Sequence, residues 1–377
     1  MDHQPAGIDF AFIGHQDSWV KVQQLVNSIR IENAQSALSI PQIKEIYPYI
    51  PSRPLFEIDA CSTRGGWVKG IYIDTFIPPD ELDATHLHAN IKKVKEACAC
   101  AVRMKAPIVA LGGLTSIVLE CGSTSFKQIE NTFFTTGNTL TAAFIVKAVE
   151  NACRQTGIHL SSANVLIIGS TGDIGSACVN YFAGKAARIL LNARQPMPLQ
   201  KQASHLLSVA QQSGWSTDLN DLLPQADVVI CSASSLIQNC DASLLPAHAI
   251  ICDAGYPKNL SDSFLHEGRK LFSGGLGLVK GSFQTQPSHY KNFYRFPVND
   301  IAHGCLLEAI VLAMEKKNIA YSSGRGNITV RAMEEIYALA NHHGIETAPQ
   351  FDNISSWGIS AQNNHYERIT ERTSTTF

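Results

Sequence analysis

The sequence predicts an α/β protein centred on a doubly wound parallel sheet, and three features of the chain carry that prediction. An apolar run, Asn164-Val165-Leu166-Ile167-Ile168, passes directly into Gly169-Ser170-Thr171-Gly172-Asp173-Ile174-Gly175. A helix-compatible stretch follows to about residue 182, and a second apolar run, Arg188-Ile189-Leu190-Leu191, ends in Asn192-Ala193-Arg194, at the spacing of one βαβ unit. Short apolar runs then alternate with helical patterns across most of the chain, as in a Rossmann-type fold with helices on both faces of its sheet.

Taken in order, residues 1–157 read as an N-terminal α/β substrate domain, with strands at 10–13, 67–73 and 108–111 and a helix at 138–155 leading out of it. Residues 158–297 read as the nucleotide-binding domain, whose later strands fall at 227–231, 249–253 and 270–272. Past a loop containing Pro287 and Pro297, residues 298–346 carry two helices, at 300–317 and 329–343, the first bearing Cys305. Residues 347–377 are polar and unpatterned and are expected to form a mobile tail.

The chain has 377 residues, enough for a large core and two or three domains. Charged residues make up 16%, against about 25% in typical soluble domains, which points to extensive buried or self-associating surface and makes a homo-oligomer a candidate assembly. A formal net charge of −2 with no long basic tract gives no general attraction to nucleic acid or anionic membrane, and neither is expected as a partner. The N-terminus, Met1-Asp2-His3-Gln4-Pro5, lacks the basic-then-apolar pattern of a signal peptide, and no stretch reaches the ~18 apolar residues of a membrane span, so a cytoplasmic protein is expected. Ten cysteines, irregularly spaced and often within apolar runs (Cys98, Cys100, Cys178, Cys231, Cys252), read as reduced, buried small hydrophobes. There is no CxxC pair, and His342-His343 and His86-Leu87-His88 lack companion ligands at metal spacing; no metal is expected, and these histidines read as surface or packing residues.

At a strand-to-helix turn, backbone has to approach a pyrophosphate and the helix has to approach the strand, and glycine permits both. Gly169 suits the tight turn, Gly172 leaves room for phosphate beside a helix N-terminus whose free N–H groups favour anions, and Gly175 lets helix and strand pack closely. Ser170, Thr171, Asp173 and Ile174 complete the expected cofactor loop. The end of the second strand offers Asn192 and Arg194 where an NAD enzyme would usually offer an acid to the ribose hydroxyls; a guanidinium there suits a 2′-phosphate, so NADPH is the expected cofactor.

Reacting groups should come from loops at the carboxyl ends of the strands. Three segments combine glycine with small polar donors: 112–117 (Gly-Gly-Leu-Thr-Ser-Ile), 134–139 (Phe-Thr-Thr-Gly-Asn-Thr) and 253–260, which contains Gly255-Tyr256-Pro257-Lys258-Asn259. The same composition can equally cap a helix or close a turn. A fourth segment, Ala302-His303-Gly304-Cys305-Leu306-Leu307-Glu308-Ala309, opens a helix; a thiolate there would gain from the helix N-terminus, and Glu308 would lie on its side of the helix. Cys305 also falls on an apolar stripe with Ile301, Ala309 and Leu312, so the pattern alone leaves an inert packed cysteine open.

Six ordered motifs together, at 112–117, 134–139, 169–176, 255–260, Cys305 with Glu308-Ala309, and Gly324-Arg325-Gly326-Asn327-Ile328-Thr329, resemble the long-chain acyl-[acyl-carrier-protein] reductase family over about residues 12–343. The resemblance implies an NADPH-dependent enzyme that makes a fatty aldehyde from an acyl thioester of acyl-carrier protein or acyl-CoA, and it places the family's acylated cysteine on Cys305. In the implied mechanism the Cys305 thiolate attacks the thioester, the carrier thiol leaves, and hydride reduces the acyl-enzyme to a hemithioacetal that collapses to aldehyde. Candidate donors to the developing oxyanion are Asn138, Thr139 and Lys258, and Glu308 is a candidate proton carrier or else a helix-surface salt-bridge partner. A basic stretch at 90–106, with Lys92, Lys93, Lys95, Arg103 and Lys105 against Glu96, is a candidate docking patch for an acidic carrier or an ordinary solvated face. The alternatives are a shikimate-type NADP alcohol dehydrogenase, whose GxNTD element Gly137-Asn138-Thr139 resembles although Leu140 replaces the acid, and a non-catalytic NADP-binding module.

Overall fold

The structure is a computed structural model that describes residues 7–350 apart from residues 17, 79–85, 122–126, 234–239, 256–259, 261–263, 265–268, 288–299 and 325. Its first part runs β1 (Phe10–Gly14), α1 (Trp19–Glu32), α2 (Ile40–Ile46), β2 (Arg53–Cys61), β3 (Trp67–Asp74), α3 (Leu87–Arg103), β4 (Ile108–Leu111), α4 (Leu114–Cys121), β5 (Gln128–Ile129), β6 (Thr132–Thr135) and α5 (Asn138–Thr156). The second part runs β7 (Asn164–Ile168), α6 (Asp173–Phe182), β8 (Arg188–Asn192), α7 (Pro196–Ser208), β9 (Ser213–Ser216), β10 (Val228–Cys231), β11 (Ile250–Asp253) and β12 (Lys270–Ser273). Then follow β13 (Leu276–Val279), β14 (Ser282–Gln286), β15 (Ile301–His303), α8 (Gly304–Met314), α9 (Val330–His342) and β16 (Ile345–Thr347).

Strands β7 to β12 form a six-stranded, all-parallel sheet in the order β12-β11-β10-β7-β8-β9. Helices cover both faces of such a sheet, so its central strands are continuous apolar runs: Val165 to Ile168 and Val228 to Cys231 are fully buried. The chain moves outward from β7 through β8 to β9, then returns to the other side of β7 for β10, so strand order reverses between β7 and β10. That reversal is where ligands bind in sheets of this kind. The edge strand β9, Ser-Gly-Trp-Ser, has no apolar run to announce it.

The other large sheet has seven strands in the order β14-β2-β3-β1-β4-β6-β5. Its centre, β3-β1-β4-β6, is parallel, and it too reverses, since β3 lies on one side of β1 and β4 on the other. Strand β14 joins it antiparallel to β2, so a segment expected within the 158–297 nucleotide domain belongs to the first sheet. The expected division at 298 also differs from the packing: α8 and α9 lie against α5 and share one core with both sheets through Phe144, Leu306, Ile310, Met333 and Ile336. Helix α8 is apolar apart from Glu308 and buried from Leu306 to Ala313, as befits a helix enclosed on every side.

A small antiparallel sheet, β15-β13-β16, closes the fold. It corrects the expectation of a mobile tail from 347: Thr347 is a strand residue, Ala348 donates to the Leu276 carbonyl at 3.1 Å, and Gln350 is buried, while residues 351–377 lie outside the described residues. His343 is a packing residue, as expected: it ties the β2–β3 turn to the body by hydrogen bonds to Ser62 Oγ (3.0 Å) and Glu315 Oε1 (2.7 Å). The nine cysteines whose side chains are described are all free thiols. No helix among the described residues is long and apolar enough to cross a membrane.

Candidate active site

The glycine loop after β7 has the geometry its composition predicts. Gly169 adopts the left-handed region (φ 79°), and a Cβ on it would come 2.9 Å from the backbone N of Ala233 after β10. A Cβ on Gly175 would lie 2.1 Å from the Gly169 carbonyl oxygen, so helix and loop pack at a distance that only glycine allows. Gly172 is the N-cap of α6, leaving that helix's first N–H groups facing the loop. Ser170 is wholly buried, with no hydrogen-bond partner for its Oγ among the described residues, while Thr171 is exposed and Ile174 half-buried. The Asn192 carbonyl accepts from the N–H groups of Gly169 (2.8 Å) and Ser170 (3.0 Å), and its side chain donates to the Ser216 carbonyl (3.0 Å). Asn192 therefore shapes the loop and ties β8 to β9. Arg194 stands exposed just beyond the end of β8.

The carboxyl edge of the first sheet brings together residues far apart in sequence. His15 follows β1, Gly112 and Gly113 follow β4, Thr136 and Gly137 follow β6, and Cys305 opens α8 above them. Gly137 (φ 69°) caps α5, and a Cβ on it would lie 2.3 Å from Cys305 Cα; a Cβ on Gly304 would lie 2.6 Å from Thr141 Cα. Two helix N-termini thus meet at two glycines, with Cys305 at the junction. The backbone N–H groups of Gly113 and Leu306 donate to its sulfur. The helix N-terminus was expected to lower the thiol pKa; burial outweighs it and, with a smaller contribution from the Glu308 charge, pushes the thiol up to about 11.

Glu308 is not on the helix surface. It is fully buried; its Oε2 accepts from the Leu140 N–H at 3.0 Å, Thr135 Oγ1 donates to Oε1, and Ser322 Oγ bonds both oxygens at 2.9 and 3.0 Å. This overturns the salt-bridge alternative: the carboxylate from α8 caps the N-terminus of α5, where its charge meets the helix dipole. Burial raises its pKa against these hydrogen bonds. Thr139 belongs to the same knot, with its N–H (3.1 Å) and hydroxyl (2.6 Å) both on Ser322 Oγ, and it is buried. Asn138 is only half-buried and donates from Nδ2 to Asp173 Oδ2 at 2.8 Å, while Asp173 Oδ1 accepts from the Gly326 N–H at 2.9 Å. Asp173 thereby links the glycine loop to the helix that Cys305 sits against. Lys258 and its neighbours 256, 257 and 259 lie outside the described residues.

Two contributors, Ser322 and His15, were missed in the sequence, and the role of Thr135 was missed although it lies in the candidate segment 134–139. Ser322 carries no signal beyond being small and polar. His15 had one, its place directly after the first strand. The basic stretch on α3 is also corrected: Lys93 is buried, donates to the Ile50 carbonyl and lies 4.7 Å from the centre of the Tyr47 ring, and burial lowers its pKa to about 8. Of its basic residues, Lys92, Lys95, Arg103 and Lys105 are exposed.

The chain is 30% identical over 348 residues to the long-chain acyl-[acyl-carrier-protein] reductase of Synechococcus elongatus, a match covering 89% of this chain and 98% of that protein. The chain belongs to this reductase family. It is also 25% identical over 268 residues to aminotransferase PigE of a Serratia species, covering 67% of this chain and 29% of that longer protein. No protein-family model matches. Among solved structures, L-tryptophan dehydrogenase from Nostoc punctiforme covers 89% of this chain and 81% of its own at 12% identity and a TM-score of 0.39. The A chain of dipicolinate synthase from Bacillus subtilis covers 71% and 88% at 11% identity and a TM-score of 0.34; both likenesses are too slight to bear on function. As a family member the chain is a reductase, which removes the non-catalytic module from contention.

Proposed function

We propose that this reductase converts a long-chain acyl thioester, of acyl-carrier protein or coenzyme A, to the aldehyde with NADPH, holding the acyl group on Cys305 between the two half-reactions. What supports the reading most is the link between edges: Asp173 on the glycine loop bonds Asn138, whose helix begins at the glycine packed on Cys305. Nucleotide loop and thiol are thereby held in one frame.

The residues fit an NADP nucleotide. The close approach at Gly169 and Gly175 clears backbone for a pyrophosphate, the N-terminus of α6 faces it, the buried Ser170 hydroxyl is a spare polar group, and exposed Arg194 suits a 2′-phosphate. When bound, the nicotinamide supplies the hydride. The chain does the rest. Cys305 sulfur bonds the thioester carbonyl carbon and the carrier thiolate departs with the proton the cysteine gives up, leaving an acyl-cysteine. After the carbonyl carbon gains hydride, the hemithioacetal on Cys305 breaks its C–S bond, the aldehyde leaves, and the cysteine takes a proton from solvent. The Gly113 N–H, already aimed at Sγ, and the Asn138 amide are the proposed donors to the carbonyl oxygen, with Lys258 a further candidate. Glu308 positions: it fixes the start of α5 and so Gly137 under Cys305.

The test is to mix purified protein with NADPH and palmitoyl-carrier protein, or palmitoyl-CoA, and follow aldehyde formation with NADPH loss. Cys305→Ser should lower turnover by at least ~10³-fold with unchanged NADPH affinity, on the scale seen when a catalytic nucleophile is removed. Full turnover in that variant would remove Cys305 from the reaction.

A further inference from the structure

The Cys305 thiol is held protonated by burial, so a nucleophilic role requires a group that takes its proton. Glu308 is the nearest acid by sequence, but its oxygens already accept from Thr135, Ser322 and the Leu140 N–H on the α5 side. Asp74, at the end of β3, is fully buried and accepts from Gln16 Nε2 and the Phe76 N–H. His303 precedes α8 as its N-cap, and Asp173 is occupied by Asn138 and Gly326.

His15 is the titratable group whose ring lies against Gly113. It stands where the first sheet reverses, at the carboxyl end of β1 beside the end of β4, and only 5% of it is exposed. Its Nδ1 lies 3.0 Å from the Gln16 carbonyl oxygen. A carbonyl only accepts, so Nδ1 carries the hydrogen and Nε2 is the basic nitrogen. The Gln16 carbonyl is held in turn: its own N–H donates to Ile77 O at 3.0 Å and its side chain is bound to Asp74. Nε2 faces Gly113, close enough that a Cβ there would be 2.2 Å away, and Gly113 has positive φ (57°). The same Gly113 gives its N–H to the Cys305 sulfur. Gly113 therefore lies against both the imidazole and the thiol, and a general base acts directly or through one water.

We propose that His15 is the general base of Cys305, taking the thiol proton as the acyl group is attacked and passing it to the departing carrier thiol. The step balances: the S–H bond breaks, the S–C bond forms, the carrier C–S bond breaks, and the proton that began on Cys305 ends on the carrier sulfur. Gln16 positions the ring, with Asp74 behind it. Gly113 is required at its position because any side chain would push the imidazole from its place.

The proposal rests on the Cys305 reading above, and its test is kept separate by using iodoacetamide, which needs neither thioester nor NADPH. In the unmodified protein, alkylation of Cys305, followed by peptide mass, should rise with pH in two steps, a lower one as His15 loses its proton and a higher one towards the thiol's own high range. His15→Gln should abolish the lower rise, cut Cys305 alkylation near neutral pH at least ~10-fold and kcat by ~10²–10³-fold, and leave KM for NADPH unchanged. Imidazole added to His15→Ala should restore part of the lost rate. A single rise in the unmodified protein, or an unchanged profile in His15→Gln, overturns the proposal. Loss of turnover in Cys305→Ser has no bearing on that outcome, so failure of one reading is visible apart from failure of the other.

Discussion

The two strand-carboxyl edges are built in different ways. At the reversal between β7 and β10, nearly all of the cradle is one contiguous loop, Gly169 to Gly175, and its working parts are backbone N–H groups and missing side chains. At the reversal between β3, β1 and β4, His15, Gly113, Gly137 and Cys305 converge from four separate segments, and the proposed reacting groups are the side chains of His15 and Cys305. Anion binding needs many weak, similar donors, which one turn of chain supplies. Covalent chemistry needs a few different groups held at fixed separations, which one turn of chain does not supply.

A first way to break that contrast is at the loop. Gly175→Ala puts a methyl where the Gly169 carbonyl sits, so KM for NADPH should rise at least ~10-fold while Cys305 alkylation proceeds at the parent rate. Equal damage to both would mean that the edges are not separable. Next is the knot behind the thiol: Glu308→Ala leaves the Leu140 N–H and the Ser322 and Thr135 hydroxyls without their acceptor, and should cost on the order of 3 kcal/mol in urea unfolding. A loss within ~0.5 kcal/mol, the range of ordinary surface substitutions, would return Glu308 to the helix surface. Third, Arg194→Ala should raise KM for NADPH roughly 10-fold, from one lost charge-assisted contact, and leave that for NADH alone; an equal effect on both contradicts a 2′-phosphate contact.

A separate effect concerns pH. Burial, opposed by hydrogen bonds from the Phe76 N–H, Gln16 and the Tyr72 hydroxyl, pushes the Asp74 carboxyl up to about 7. A carboxyl raised on folding holds its proton more tightly in the folded state, so its contribution is fully present below the unfolded value near ~4 and is lost as pH rises through 7. Wild-type Tm should fall between pH 5 and 8 by an amount that Asp74→Asn removes; parallel Tm profiles would show that Asp74 stays ionised.

What the sequence disclosed follows the same division. The parallel sheet, the glycine loop and the start of α6 were legible because local spacing dictates them: β7 and β10 are unbroken apolar runs, and glycine is the only residue that fits at 169 and 175. Cys305 was visible as a residue type on a helix start, but its surroundings were not. No local pattern says that the carboxylate of Glu308 crosses to α5, that Ser322 ties Thr139 to it, or that β14 returns to pair with β2. Lys93 reads as one more basic residue on a helix because nothing in its own stretch reveals the Ile50 carbonyl and the Tyr47 ring that receive it.

The central claim is that the convergent edge carries the acyl group. Intact-protein and peptide mass spectrometry after mixing with palmitoyl thioester in the absence of NADPH tests it most directly. One palmitoyl group on Cys305, discharged as aldehyde when NADPH is added and missing from Cys305→Ser, is the predicted result; full reductase turnover with no adduct, or an adduct on another cysteine, would contradict it.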